Sequence, residues 1–431
     1  MGKEATGRAV RVVTHGCRLN AAESEAVRAL AGASGGDRLI IHNTCTVTTE
    51  AVRSARRAIR RSAREDPDAR IVVTGCAAHT DGAAFAAMPE VSAVVGNAEK
   101  LRARTWRGLD LSGEAEPLVC DRALSEETAP HLAHAHEGRA RAFLAVQNGC
   151  DHACTFCVIP KGRGPSRSVA AGAVVDGVRR LVGDGVAEVV LTGVDLTSWG
   201  QDLPGGPRLG DLVQAILRHV PDLPRIRLSS IDSIEADPAL LDALSDARFM
   251  PHLHLSLQHG HDLILKRMKR RHLREDAIRF CEDARARRPG IALGADLIAG
   301  FPTETDAHHR ANLSLVEACG LVHLHVFPFS PRAGTPAARM PLVDGATIRL
   351  RAAELRAHGE VALDRHLRGR VGSVAEVVLH RGHDAQGRRT GLTGDFCRTV
   401  VRTDREPGST VQVRITGVEG RQLLAEPHAD T

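Results

Sequence analysis

Gln147-Asn148-Gly149-Cys150-Asp151-His152-Ala153-Cys154-Thr155-Phe156-Cys157 is the stretch on which the reading of this chain turns. Its cysteines are spaced C-x3-C-x2-C, and they follow a short apolar run at residues 143–146. Three thiolates from one loop hold a cubane iron–sulfur cluster by three corners and leave one iron open to a ligand. A fourth cysteine would close the cluster into an electron carrier. Zinc is the competing metal, and it needs a fourth ligand from His152 or a distant cysteine. The spacing and the aromatic Phe156 favour the open cluster.

Upstream, three more cysteines share a context. The runs at residues 9–13, 39–41 and 71–73 read as buried parallel strands. After each comes a turn and a cysteine: Thr14-His15-Gly16-Cys17, His42-Asn43-Thr44-Cys45 and Thr74-Gly75-Cys76. Ligands of open α/β sheets bind beyond the carboxyl ends of the strands, so Cys17, Cys45 and Cys76 are expected to meet on one rim. Free cysteine also packs well in cores. Recurrence at the same point of three successive units favours the shared site.

Downstream, candidate strands at 143–146, 189–192, 226–229, 253–257, 292–298 and 322–327 alternate with longer helical patterns. Six such units predict a partial barrel related to the eight-fold one, with its chemistry at the C-terminal rim. Short alternating stretches at 371–379, 391–401 and 411–415 predict a small β-barrel. The expected fold is α/β throughout: an N-terminal parallel α/β domain (1–120), a linker (121–138), a partial (βα)6 barrel (139–368) and a terminal β-barrel (369–431). His131, His134 and His136 fall in the linker and read as a solvated loop.

The 431 residues, 43% hydrophobic and 25% charged, suit a soluble chain of two or three domains. No apolar run approaches the ~20 residues of a membrane span, and the start lacks a secretory core. A cytoplasmic location is expected, where clustered cysteines bind metal or act in catalysis. Net charge is +5, with five lysines among the 57 basic residues. Arginine suits bidentate phosphate contacts, and its placement is more informative than its number.

The tight triad resembles the cluster loop of radical S-adenosylmethionine (SAM) enzymes. That resemblance implies that SAM chelates the open iron and is cleaved by an electron to a 5′-deoxyadenosyl radical, chemistry that side chains alone cannot supply. The segments Thr14 to Asn20, Asn43 to Thr48 and Thr74 to Cys76 resemble the N-terminal domain of radical SAM methylthiotransferases. There, three cysteines bind a second 4Fe-4S cluster associated with the sulfur to be inserted. Further matches are Val190 to Asp195, Arg227 to Ile231, His254 to Gln258, Leu297 to Thr305 and His325 to Arg332. The terminal module resembles the RNA-binding TRAM domain. Within the family, Asn43 to Thr48 and His325 to Pro336 are most similar to the branch acting on threonylcarbamoyladenosine beside the tRNA anticodon, implying a 2-methylthio product. Lys161 stands where the family has an aromatic residue.

The resemblance implies two 4Fe-4S clusters, on Cys150, Cys154 and Cys157 and on Cys17, Cys45 and Cys76, with SAM as cofactor. It implies tRNA, an electron donor and a sulfur source as partners. Gly193 would approach the methionine end of SAM, and Ser229, Ser256 or Gln258 its ribose. The same chemistry on isopentenylated adenosine or on a ribosomal protein is an alternative, as is a non-catalytic RNA-binding zinc protein.

Arg53, Arg56, Arg57, Arg60 and Arg64 fall on one side of a helical pattern after Cys45, opposite Val52, Ala55, Ile59 and Ala63. Such a face can grip tRNA phosphates or be merely solvated. The basic run Lys266 to Arg271 allows the same argument. Cys120, Cys281, Cys319 and Cys397 have no ligand spacing.

Overall fold

The computed structural model describes residues 10–32, 38–109, 118–119 and 140–428. Cys120, the linker expected at 121–138 and its three histidines lie outside the described residues. The N-terminal sheet is parallel and runs in chain order: Val10–Thr14, Leu39–Thr44, Arg70–Gly75, Ala93–Val95 and Leu118–Val119. Three strands were expected; the other two are too short to show a pattern. Successive residues serve opposite faces. Ile40, Ile71 and Val73 pack with Val52 and Ile59 of the helix Thr49–Glu65. Leu39, Ile41 and Val72 pack with Val27 and Ala31 of the helix Arg18–Gly32. A sheet covered on both sides needs apolar residues at every position, so its strands read as unbroken apolar runs.

The six expected barrel strands form in order: Arg141–Ala145, Glu188–Thr192, Ile226–Leu228 continued by Ser230–Ile231, His252–Gln258, Ala292–Ala299 and Leu321–Pro328. All neighbours are parallel, and the ladder breaks once, at Ser229. Val189, Leu191, Leu253, Leu255, Leu293 and Leu297 pack outward against the surrounding helices. The alternate positions, among them His252, His254 and Asp296, therefore face the lumen.

The 25-residue helix Gly345–Gly369 leads to a closed barrel of Val374–His383, Arg389–Thr393, Arg398–Val401, Gln422–Pro427 and Thr410–Glu419, in that spatial order. Closure removes free sheet edges. The stretch expected as one element at 391–401 breaks at Gly394-Asp395-Phe396, where Phe396 takes φ 68°. Asp395 accepts from His366 Nε2 at 2.9 Å and Arg370 Nη1 at 2.8 Å, which ties the turn to the long helix. Phe396 enters the base of the larger barrel and stacks on His252, with ring centroids 4.7 Å apart. The N-terminal sheet docks elsewhere on that barrel. Asn97 Nδ2 donates to the Gly162 carbonyl at 2.6 Å, and Arg332 Nη2 to Thr46 Oγ1 at 2.8 Å. Among the described residues no helix is long and apolar enough to cross a membrane.

Candidate metal centres

Each dispersed cysteine lies just past the carboxyl end of a parallel strand: Cys17 after Val10–Thr14, Cys45 after Leu39–Thr44, Cys76 after Arg70–Gly75. Two glycines permit the close approach. Gly16 has φ +91°, and a Cβ there would lie 2.5 Å from Cys45 Cβ. Gly75 has φ +95°, and a Cβ would meet the Thr44 carbonyl oxygen at 2.4 Å. Polar side chains knit the rim. Asn20 Nδ2 donates to the His15 and Thr44 carbonyls at 2.7 and 3.0 Å, and Thr44 Oγ1 to the Thr74 carbonyl at 2.6 Å. Burial pushes the Cys45 thiol up to about 11 against a hydrogen bond from the Val47 N–H, with Cys76 and Cys17 adding to the rise.

The tight triad sits on a loop clamped at both ends. Cys150 N donates to the Gly164 carbonyl at 3.1 Å. Gly149, at φ +76°, passes so close to Pro165 that a Cβ would lie 1.7 Å from its carbonyl oxygen. Thr155 N and Oγ1 donate to the Met268 and Arg267 carbonyls at 3.0 and 2.8 Å. Phe156 packs edge-on to Phe301 at 6.4 Å. The Ile159 N–H donates to Cys157 Sγ at 3.4 Å, and Arg270 Nη1 lies 3.7 Å from Cys154 Sγ. Burial pushes the Cys157 thiol up to about 11.

Arg163 joins the two triads. It ends the short helix Ile159–Arg163 after Cys157 and is 4% exposed. Its Nε donates to Cys76 Sγ at 3.1 Å. Nη1 donates to Glu23 Oε1 at 2.8 Å and Asn148 Oδ1 at 3.0 Å. Nη2 donates to Asn20 Oδ1 at 2.6 Å and Glu23 Oε2 at 3.0 Å. Every guanidinium N–H is thus used. Lys100, fully buried, holds Glu23 from the other side at 2.6 Å. Burial alone would raise the Glu23 carboxyl, but Arg163 and Lys100 bring it down to about 2. Two cations against one carboxylate leave a net positive charge beside Cys76.

Three thiols, a nearby positive charge and N–H donors aimed at sulfur suit an iron–sulfur cube with one open corner. Zinc at the tight triad would need His152. That imidazole is held at about 10 by hydrogen bonds to Asp195 (2.7 Å) and Glu235 (3.5 Å), against burial and Arg271. Its Nε2 is already engaged by those two carboxylates. The other described cysteines are buried elsewhere, Cys281 and Cys319 in the barrel core and Cys397 in the terminal barrel.

Comparison with known proteins agrees. The Radical SAM superfamily profile matches residues 144–316, and that of the uncharacterized protein family UPF0004 matches residues 9–96. The chain is 46% identical to the threonylcarbamoyladenosine tRNA methylthiotransferase MtaB of Rickettsia prowazekii over 95% of both chains. The chain belongs to the radical SAM methylthiotransferases. It is 33% identical to the tRNA-2-methylthio-N(6)-dimethylallyladenosine synthase of Paracoccus denitrificans over 94% of both. Among solved structures, the radical SAM methyltransferase TsrM of Kitasatospora setae shares the fold, with TM-score 0.52 at 18% identity, over 73% of this chain and 68% of that one.

In this methylthiotransferase the four residues expected at SAM ring the mouth of the large barrel. A Cβ on Gly193 would meet Gln147 Oε1 at 2.8 Å; that oxygen accepts from the Val194 and Asp195 N–H groups at 3.0 and 2.9 Å. Gln147 thereby fixes the Gly193 turn against the cluster loop. Ser229 sits at the ladder break, and its buried hydroxyl has no partner among the described residues. The Ser256 carbonyl accepts from Arg270 Nη2 at 2.7 Å, and Gln258 takes φ 68° at the end of its strand.

On the arginine face Arg53, Arg57, Arg60 and Arg64 are exposed and Arg56 is half-buried. Arg57 pairs with Glu50 at 2.5 Å, Arg60 lies 3.9 Å from Glu90, and Arg56 covers the Phe85 ring. Arg53 and Arg64 enter no ion pair among the described residues. The run Lys266 to Arg271 is a correction: Arg270 is buried against Asp232, and Arg271 pairs with Asp232 and Glu235, so these two brace the cluster loop. Lys161 is exposed and donates to the Gly334 carbonyl at 2.8 Å. Sequence reasoning missed Arg163, Glu23, Lys100 and Gln147. The only available signal was that Arg163 follows Cys157 by six residues, and nothing in the sequence points it at Cys76.

Proposed function

We propose that the chain converts N(6)-threonylcarbamoyladenosine beside the tRNA anticodon to its 2-methylthio derivative. The observation that carries this reading is the pair of thiol triads held on either side of Arg163. In it, Cys150, Cys154 and Cys157 hold one 4Fe-4S cluster, and Cys17, Cys45 and Cys76 the other. When bound, the clusters and SAM supply a radical that removes the adenine hydrogen, a sulfur atom and a methyl group. The protein's share is positioning. Gln147 fixes the turn at Gly193, and Ser229, Ser256 and Gln258 offer polar groups to SAM at the barrel mouth. Arg163 sets the separation of the two centres and donates an N–H to Cys76 Sγ at 3.1 Å.

The reading includes tRNA gripped by Arg53 and Arg64 and by the terminal barrel, an external electron donor, a sulfur source and a cytoplasmic location. It keeps the domain division at 120, 139 and 369, supported by three separate sheet systems. Its substrate rests on the 46% relative and its printed name. The 33% relative favours dimethylallyladenosine as the second reading.

Nucleoside mass spectrometry of tRNA from a deletion strain tests the proposal. The 2-methylthio derivative of threonylcarbamoyladenosine should vanish and return with the wild-type gene. Cys76→Ser should not restore it and should halve iron and sulfide content while SAM cleavage persists. Loss of the dimethylallyl product instead sinks the substrate, and bound zinc without sulfide sinks the chemistry.

A further inference from the structure

Arg18 follows Cys17 directly and opens the helix Arg18–Gly32. It is half-buried, and its guanidinium reaches over the Phe396 ring at 5.3 Å, at the base of the barrel lumen. Among the described residues no carboxylate lies within ion-pair distance of it. Asp296 and Glu188 are close enough to favour its charge, but both are engaged. Asp296 accepts from His254 Nε2 at 2.9 Å and His325 Nδ1 at 3.2 Å. Glu188 is chelated by Arg227 at 2.8 and 3.1 Å and flanked by Arg225 at 3.2 Å. A cation taken from water without an anion is costly, so this one awaits a partner.

The surroundings also point to an anion. His252 is 1% exposed, and neither of its ring nitrogens has a partner among the described residues. One guanidinium nitrogen of Arg227, fully buried, is likewise unpartnered. Arg18, Arg141, His252, His254, His325 and Phe396 line one cavity of about 670 Å³, within the range that holds a small ligand. Arg18 lies against the Phe396 ring at the wall of this cavity, and a guanidinium fork matches a carboxylate.

We propose that Arg18 is the specificity residue of this enzyme, receiving the carboxylate that ends the threonylcarbamoyl group of the substrate adenosine. The inference rests on the functional reading above and deepens it. A dimethylallyl group is a hydrocarbon with nothing to offer this fork, and it would leave the Arg18 guanidinium unpaired. Placing the acceptor one residue from a cluster ligand fixes the distance between the N6 substituent and the second metal centre. Recognition and chemistry then sit on adjacent residues.

The test uses the anaerobically reconstituted holoenzyme and anticodon stem-loop RNAs identical except at the adenosine N6: threonylcarbamoyl, its methyl ester, and dimethylallyl. Affinity is read by fluorescence anisotropy, and kcat and KM by mass spectrometry of the methylthio product. Wild type should prefer the acid over the ester by roughly 10- to 100-fold, the worth of a charge-assisted fork. Arg18→Gln should lower the acid to the ester's level, mostly through KM, and leave the ester unchanged; Arg18→Lys should fall between. An acid-to-ester ratio that survives in Arg18→Gln overturns the Arg18 assignment alone, provided wild type still methylthiolates the acid RNA. A wild type that prefers the dimethylallyl RNA overturns the functional reading with it. If Arg18→Gln loses iron because it adjoins Cys17, the ester decides: a wild type indifferent to esterification refutes the proposal.

Discussion

Replacing Arg163 by methionine keeps most of its volume and removes all five N–H donors. Glu23 then faces Lys100 alone, at 2.6 Å. In the wild type, Arg163 and Lys100 hold the Glu23 carboxyl at about 2 against an ordinary value of 4.5. At 1.36 kcal/mol per pH unit that difference stabilises the fold by about 3 kcal/mol. Breaking a buried ion pair from one side costs about 3–5 kcal/mol, and the remaining lysine argues for less. The sign follows from the depressed value. The contribution is complete above pH 4.5, where the unfolded carboxyl is ionised, and disappears as pH falls toward 2. Arg163→Met removes the larger share of that amount and should therefore be about 2 kcal/mol less stable than wild type at pH 7, with the gap narrowing to below about 1 kcal/mol at pH 3. The assay is urea unfolding of the reduced, cluster-free protein. Trp106 and Trp199 are the chain's two tryptophans, buried in the N-terminal sheet and the large barrel respectively. A Trp199→Phe background leaves Trp106 to report the N-terminal sheet. A gap below 0.5 kcal/mol, or one that stays constant from pH 7 to pH 3, refutes the reasoning.

Two further outcomes are expected. Gly16→Ala puts a methyl 2.5 Å from Cys45 Cβ at a φ of +91°, so it should cost the second cluster's iron while leaving the first intact; full iron content in this variant contradicts the account of that turn. Charge reversal of Arg53 and Arg64, the members of their face without an ion pair among the described residues, should weaken tRNA binding several-fold and lower its salt slope by about 2, whereas the same change at the paired Arg57 and Arg60 should do less; equal effects contradict the distinction.

Most of the architecture is legible in the residues. Strands such as Leu39–Thr44 and Ala292–Ala299 announce themselves as apolar runs because both of their faces are buried. The two extra N-terminal strands do not, being three and two residues long. The break at Phe396 is hidden because a positive φ at a non-glycine residue leaves no mark in composition. Both thiol triads can be found from spacing and strand position. The network between them cannot: Arg163 meets Glu23 across 140 residues of chain and Cys76 across 87, and no local pattern encodes such a meeting. For the same reason Arg270 reads as part of a surface basic run although it lies buried beside the cluster loop.

Because Phe396 closes the foot of the large barrel, the terminal module cannot be regarded as a detachable handle for nucleic acid. Cutting the chain after the long helix would unstopper the reaction vessel and admit solvent from below, where a radical is easily quenched. Grafting this module between relatives should succeed only when the 394–396 turn travels with the histidines it caps. Divergence in the one is thereby chained to divergence in the other.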